Sequence, residues 1–499
     1  MRKRFEQQNT LDAVKIPEVK IDGKSRHQLP KLLAGLQYIF ITPELNERVF
    51  KILEKHIIVD SPNKRGRLGM SLWEIFVLGV VRLNMNMDYD HLCDNANQHC
   101  ALRGILGIQT NQIFGEGKYY ALQTVKDNIQ LLTEELLNEI NTEVVQAGHQ
   151  LVKKKELEKI DLTLKTDSYV VESHVHFPTD INLLWDSIRK SLDTIKWIRA
   201  EYDISGWRKL DYQFRQMKNI YVKVARIHQR KGKNYKERLD ESVQEYLKKS
   251  RYLEEKVVLV VEYLFEKQAT DPLASGLLKD LVKYKSMLDK HIDLVERRII
   301  KGEKIPHSEK VFSIFEQHVE WIQKGKHHKK VEIGHPVVIT SDQYHFIVDG
   351  KVMVQESDVE QVMPLIERIQ KKYPVDKYKY KSISFDKGFY SSVVKKRLEP
   401  IFEQVVMPKK GKANKKEQEE QSQESYQELR KAHSAVESNI NELEQSGLDR
   451  VKDKGLDGFK KYVALGIVAH NLKRLGKLVI EQKRLSTIVI MVRPRKAAA

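Results

Sequence analysis

Three carboxylates stand where an acid is structurally unusual. Asp167 lies near the end of an apolar, strand-like run, Leu162-Thr163-Leu164-Lys165-Thr166-Asp167-Ser168. Asp386 closes Ser382-Ile383-Ser384-Phe385-Asp386. Glu437, in Ser434-Ala435-Val436-Glu437-Ser438-Asn439-Ile440, borders the apolar stripe of a helix. Strand-end carboxylates that meet a helix carboxylate suit hard divalent cations, and Mg2+ prefers oxygen ligands while keeping several waters. Two such ions, about 3.5–4 Å apart, activate an attacking water or 3′-hydroxyl and stabilise the leaving oxygen. The chemistry would then be cleavage or transfer of a phosphodiester. Spacing alone leaves competitors open. Asp161 precedes Asp167 by six residues and shares its strand face. Asp342 and Asp358 compete with Asp386, although Asp342 reads as a turn residue and Asp358 as a helix N-cap.

The charge balance agrees with a phosphodiester substrate. The chain has 499 residues, with 87 Lys and Arg against 69 Asp and Glu, a net charge of +18 and a pI near 9.4. Such an excess favours a polyanionic partner, either nucleic acid or an anionic membrane surface. The longest uncharged apolar runs, such as Val257-Val258-Leu259-Val260-Val261, fall far short of the ~20 residues that cross a bilayer. The basic start is not followed by an apolar stretch, so no secretory signal is visible. Two cysteines, Cys93 and Cys100, do not make a disulfide scaffold, and a cytoplasmic location is expected.

The elements that must position the acids follow from periodicity. Residues 1–30 are polar and basic and read as a flexible arm. The region 31–150 reads as an all-α domain. Ser71 and Glu74 have capping-box spacing before the apolar run 72–81, and one helical period runs from Thr124 to Ala147. An α/β unit then spans 155–480, interrupted by a helical insertion over 181–328. Two stripes in the insertion, Leu239 to Leu264 and Leu277 to Ile299, predict two long antiparallel helices. Strands are expected at 337–340, 346–348, 380–386 and 401–407, with Asp349-Gly350 as a turn dipeptide. The Lys/Gln/Glu run 409–423 reads as a flexible surface loop whose lysines, Lys412 among them, could touch DNA backbone. Helices follow at 429–443 and 459–479, then a loose basic tail over 481–499 containing Arg493, Arg495 and Lys496.

Four segments in order resemble the DDE-type transposases of bacterial insertion sequences. Thr166-Asp167-Ser168-Tyr169-Val170-Val171-Glu172, continuing to His176-Phe177-Pro178-Thr179-Asp180, is similar to the first-aspartate motif. Val331-Glu332-Ile333-Gly334-His335-Pro336-Val337 resembles the next strand, and Phe385-Asp386-Lys387-Gly388-Phe389-Tyr390-Ser391 the second-aspartate segment. Val436-Glu437-Ser438-Asn439-Ile440-Asn441, with Gly447-Leu448-Asp449-Arg450 and Ala469-His470-Asn471-Leu472, resembles the third-acid helix and its continuation. Arg67 to Gly107 resembles the N-terminal domain of the group. The resemblance implies an RNase H-like mixed sheet flanked by helices, with Asp167, Asp386 and Glu437 as the catalytic, metal-holding triad. It implies Mg2+, replaceable by Mn2+, and a homo-oligomer, a dimer on DNA, acting on double-stranded element ends and target. It also implies an N-terminal domain that binds terminal inverted repeats. Phosphate contacts fall to Lys387, His433, Arg450 and Lys454. The sequence departs from the group's Tyr/Arg/Glu/Lys signature, where Arg430, His433, Glu437 and Glu444 stand instead. A histidine replaces an arginine there only if protonated or used as a hydrogen-bond donor.

The activity expected is binding of element ends, metal-assisted cleavage and joining of 3′-hydroxyls to target DNA. The alternatives are an inactive transposase-derived regulator, or a nuclease of the same fold that cuts without joining. Other chemistry-bearing residues have simpler readings. His174 and His176 alternate on one strand face as packing or hydrogen-bonding residues, and His327-His328 sits in a basic surface run. His91, Cys93, His99 and Cys100 form a dense cluster, but their spacing matches no standard zinc finger.

Overall fold

The computed structural model describes residues 2–8, 13–58, 69–109, 117–153, 159–230, 232–323, 330–411 and 415–492, apart from the side chains of 416 and 486–492. His327, His328, Lys412, Arg493, Arg495 and Lys496 lie outside these residues. The chain forms two compact units, 1–174 with 322–499, and 175–321.

The first unit is built on a mixed sheet of seven strands: β1 (Ile160–Ser173), β2 (Glu320–Gln323), β3 (Val331–Ser341), β4 (Ile347–Val352), β5 (Tyr378–Phe385), β6 (Gln404–Val406) and β7 (Arg450–Val451). The order is β2-β3-β1-β5-β6, with β4 also on β3 and β7 also on β1. β3 runs antiparallel to β1, and β5, β6 and β7 join through parallel pairings. Parallel neighbours need crossovers, and Ser392–Leu398 provides the one between β5 and β6. β1 is central, and residues on both of its faces are buried, Leu162 and Leu164 among them. Such a strand reads as nearly continuous rather than alternating apolar sequence.

The Gly455–Val492 helix ties the N-terminal helices to this sheet. It packs on Gln28–Ile41, Leu72–Asn84 and Glu134–Val152. One apolar core includes Trp73, Phe76 and Leu137 from the N-terminal helices, Val337 and Ile383 from the sheet, and Leu465 and Leu472 from the long helix. The core therefore continues past residue 150. Asn471 seals the junction: its amide donates to the Ile347 carbonyl (2.8 Å) and its oxygen accepts from the Ile347 N–H (2.9 Å). Asn141 donates to the same carbonyl at 3.0 Å.

Several elements differ from expectation for tertiary reasons. The described part of the 1–30 arm is docked. Arg4 is held by Glu47 and Glu54 at 2.6 Å each, Phe5 packs edge-on against Phe40, and Ile16 is buried. Asp349-Gly350 lies inside β4, because the buried Asp349 carboxylate is neutralised by Arg368 (2.7 Å) and Lys372 (2.6 Å). The 124–147 period splits into Leu122–Ile129 and Glu134–Val152, the second capped by Thr133. Within the expected surface loop, Lys415–Ser422 is a helix; Glu420 pairs with Lys395 and Tyr390 donates to Glu417 at 3.1 Å. The final helix runs to Val492, through the first part of the expected tail. The capping box at Ser71 and Glu74 is present, with the Ser71 N–H donating to Glu74 at 2.9 Å.

Among the described residues the second unit has four α-helices rather than two: Asp180–Glu201, Leu210–Gln229, Tyr235–Lys267 and Pro272–Val295. The two expected stripes belong to the last two. The first two complete the core around Trp185, Leu192, Tyr246 and Leu288, with Trp185 stacked on Tyr221 at 5.2 Å.

Candidate active site

The sheet register brings two of the three acids together. β1 and β5 are parallel, and their last paired residues are Thr166 and Phe385. The next residues along the two strands are Asp167 and Asp386. Neighbouring strands lie about 4.8 Å apart, and in-register residues project to one face. Asp386 leaves β5 into the short turn Lys387–Phe389 and is exposed. Asp167 is half-buried, and its Oδ1 accepts from the Ser168 N–H at 2.7 Å.

The third acid arrives on a helix. Ser434–Leu443 buries Val436, Ile440 and Leu443 and packs on β1 and β3, while Glu437 stays exposed at the border of that apolar face. A further turn, Glu444–Leu448, follows the helix; its Gly447 has a φ of +98° that suits a glycine, and an added Cβ there would strike Asn86.

His433, just before the helix, links the pieces. Its Nδ1 lies 2.9 Å from Ser384 Oγ, and Ser384 shares the strand face of Asp386 two residues on. Burial pushes the imidazole below its usual range; Asp386 and Glu437 pull it upward, and Lys165 pushes it further down. The depressed value leaves His433 neutral at pH 7, so its route to a phosphate is a hydrogen bond rather than a charge. Among the described residues its Nε2 has no hydrogen-bond partner. Lys165 sits beneath on β1, paired in register with Ser384; burial lowers its ammonium and Asp342 partly offsets this. Sequence reasoning missed Ser384 and Lys165. Their signal was alternation: each lies two residues before one of the aspartates.

The other expected phosphate contacts spread along the same unit. Lys387 is exposed beside Asp386. Arg450 opens β7, pairs with Glu172 at 3.1 Å, and joins β1 five residues beyond Asp167, about 17 Å along the strand. Lys454 lines a groove of about 930 Å³ with Lys126, Lys452 and Lys460. Beneath it, Arg82 pairs with Asp453 at 2.8 Å and lies over Tyr89 at 4.0 Å.

Of the competing acids, Asp342 has structural work. Asp342 is buried, accepts from the Tyr344 and Phe346 N–H groups (2.8 and 2.9 Å), and meets His149 Nε2 at 2.6 Å. The N-cap ahead of Asp358 is Ser357, in a capping box with Glu360. Asp161 is exposed on β1. In the cysteine cluster, Cys93 is buried and Cys100 exposed. His91 pairs with Asp88 at 2.8 Å, and His99 Nδ1 accepts from the Leu102 N–H at 3.2 Å. His176 holds Asp186 at 2.6 Å, which raises its pKa.

The donor set of Asp167, Asp386 and Glu437 is three hard carboxylates, two of them exposed, which fits Mg2+ in kind. Among the described residues no three His, Cys, Asp or Glu side chains are already gathered as a chelate. No helix among the described residues is long and apolar enough to cross a membrane. Comparison with protein-family models, with curated proteins and with solved structures finds no match for this chain.

Proposed function

We propose that the chain is a DNA transposase of the DDE type with an RNase H-like core, and that Asp167, Asp386 and Glu437 are its catalytic carboxylates. The observation that carries the reading is the register: Thr166 pairs with Phe385 on parallel strands, so Asp386 leaves β5 beside Asp167, which stays within β1. A second supports it. The helix bearing Glu437 packs on β1, and His433 lies within electrostatic reach of both Asp386 and Glu437. The arrangement of β3 antiparallel and β5 and β6 parallel around β1 is compatible with an RNase H-like sheet.

Bound Mg2+, or Mn2+ in its place, would supply activation of the attacking oxygen and stabilisation of the leaving one. The protein's own residues do the rest. Asp167 is held by the Ser168 N–H and by its place in the sheet, and Asp386 by its strand end. His433, neutral and fixed by Ser384, presents a hydrogen-bonding nitrogen rather than a competing charge. Lys387, Arg450 and Lys454 would carry phosphates. Such contacts are independent of sequence and steeply salt-dependent.

The test uses duplexes carrying the element's ends, read from the DNA flanking the coding region. Wild type should cut them with Mg2+ and join pre-cut ends to a target. Asp167→Ala, Asp386→Ala and Glu437→Gln should each lose at least a hundredfold in cleavage while end binding survives. Cleavage persisting in all three refutes the site. Cutting without joining points to a nuclease, and end binding without metal-dependent cutting to a regulator.

A further inference from the structure

The helical unit 175–321 carries a cationic groove with no role in the reaction above. It lies between Leu210–Gln229 and Tyr235–Lys267, has a volume of about 1000 Å³, and is lined by Lys223, Arg226, Arg230, Tyr235 and Arg238 together with Glu241 and Glu245. Lys223 pairs with Glu245 at 2.9 Å. Arg226, Arg230 and Arg238 are exposed, and none forms an ion pair among the described residues. Elsewhere in the same unit Arg189 pairs with Asp186, Arg251 with Glu296, Arg297 with Glu303 and Glu309, and Arg298 with Asp180, whereas Arg199, Arg208 and Arg215, like the three in the groove, form no ion pair among the described residues.

The positions are informative. Arg226 lies in the last turn of Leu210–Gln229 and Arg230 is the residue that caps it four positions on, so the two charges stand close together and repel. These two also stand at a helix C-terminus, where the dipole favours cations. Arg238 has no such compensation. It stands at the start of Tyr235–Lys267, where the positive helix end disfavours a cation and favours an anion. Three guanidiniums without ion-pair partners among the described residues therefore converge on the groove, beside the positive N-terminal end of Tyr235–Lys267. An occupant with several regularly spaced anionic oxygens relieves all of them together. Duplex DNA presents one phosphate per 3.4 Å of axis on each strand, and arginine engages phosphate through two parallel N–H donors.

We propose that this groove is a phosphate clamp for the backbone of double-stranded DNA, with Arg226, Arg230 and Arg238 as its contacts. The proposal rests on the reading of the chain as a DNA-processing enzyme and extends it to the inserted unit.

The experiment measures equilibrium binding of the full chain to a labelled 30-base-pair duplex of arbitrary sequence, in EDTA, across a salt series. The variant Arg226→Ala/Arg230→Ala/Arg238→Ala is compared with Lys248→Ala/Lys279→Ala/Lys304→Ala, which removes the same charge from exposed sites outside the groove. Each phosphate contact contributes about 0.9 to the salt slope, so the groove variant should lose roughly 2–3 from the slope and bind on the order of 100-fold more weakly at ~0.1 M salt. The control should stay within threefold of wild type, and Arg226→Lys/Arg230→Lys/Arg238→Lys should recover most of the slope. An unchanged slope in the groove variant, or an equal loss in the control, overturns the proposal. The outcome is separable from the fate of the catalytic assignment. Salt-steep binding lost on groove substitution, in a chain that never cuts DNA, would sink the transposase and keep the clamp; metal-dependent cutting with an unaltered slope would do the reverse.

Discussion

The crossing of Gln28–Ile41 with Gly455–Val492 offers a sharp test of how the N-terminal helices are joined to the sheet. The helices meet at Gly35 and Gly476. A Cβ on Gly35 would overlap the Leu472 carbonyl oxygen and lie 3.1 Å from its carbon and 3.3 Å from the Gly476 nitrogen. A Cβ on Gly476 would overlap the Lys31 carbonyl oxygen and lie 2.6 Å from the Gly35 nitrogen, where ordinary contact begins at 3.4 Å. Backbone cannot yield as a flexible side chain does, so either alanine drives the helices apart by about 1 Å. A gap of that size forfeits a quarter to a half of the dispersion well. Leu32, Leu36, Ile39, Leu472 and Leu475 are fully buried in this core, each worth roughly 2 kcal/mol. Losing about a third of their contribution costs ~3 kcal/mol, offset by about 1 kcal/mol of improved helix propensity. Gly35→Ala and Gly476→Ala should therefore each destabilise by about 2 kcal/mol. Because one separation accommodates both, the double variant should cost at least ~1 kcal/mol less than the sum. Hydrogen exchange read by mass spectrometry on peptides from the two helices isolates this junction from unfolding of unit 175–321. Single variants within 0.5 kcal/mol of wild type, or a strictly additive double, would refute the reasoning.

Two further outcomes follow from buried charge. Burial, aided by Lys473, lowers His470 to about 4, and its Nε2–H donates to the His345 carbonyl at 3.2 Å. The unfolded imidazole takes its proton near 6.5, so stability should fall as pH drops from 6.5 towards 4, by up to about 3 kcal/mol. Glu442 is held below its usual range against the effect of burial, with the Lys473 ammonium at 3.0 Å as its countercharge, and loses its contribution in the same acid direction. His470→Gln should flatten the urea midpoint between pH 7 and pH 5, and an unaltered slope would remove His470 as the cause. Burial alone would raise the Asp349 carboxyl, but Lys372 and Arg368 outweigh it and hold it low. Asp349→Asn leaves both cations without a countercharge. Since Arg368 is about a third exposed and resolvates in part, the cost should be about 2–3 kcal/mol in urea unfolding rather than the full penalty of a buried pair; a loss below 0.5 kcal/mol would contradict it.

Local signals in the sequence determined a good deal by themselves. The Ser71/Glu74 box, the strand around Asp167 and the helix bearing Glu437 were legible because capping and periodicity act over a few residues. The three candidate carboxylates could be picked out, with the help of the resemblance, as acids at strand and helix borders. Their relative placement was a tertiary decision. Only the β1–β5 register sets Asp167 beside Asp386, and only packing of Ser434–Leu443 on β1 carries Glu437 and His433 to the same region. Burial then made His433 neutral, which a residue type alone could not state. The misread segments fail for the same reason. The arm finds Glu47 and Glu54 for Arg4, and Asp349 finds Arg368 and Lys372 for what read as a turn. Short-range preference is written within a helical turn or a strand's alternation, whereas the partner that neutralises a charge or covers an apolar face lies well outside that window, tens to hundreds of residues along the chain, and is chosen by the fold.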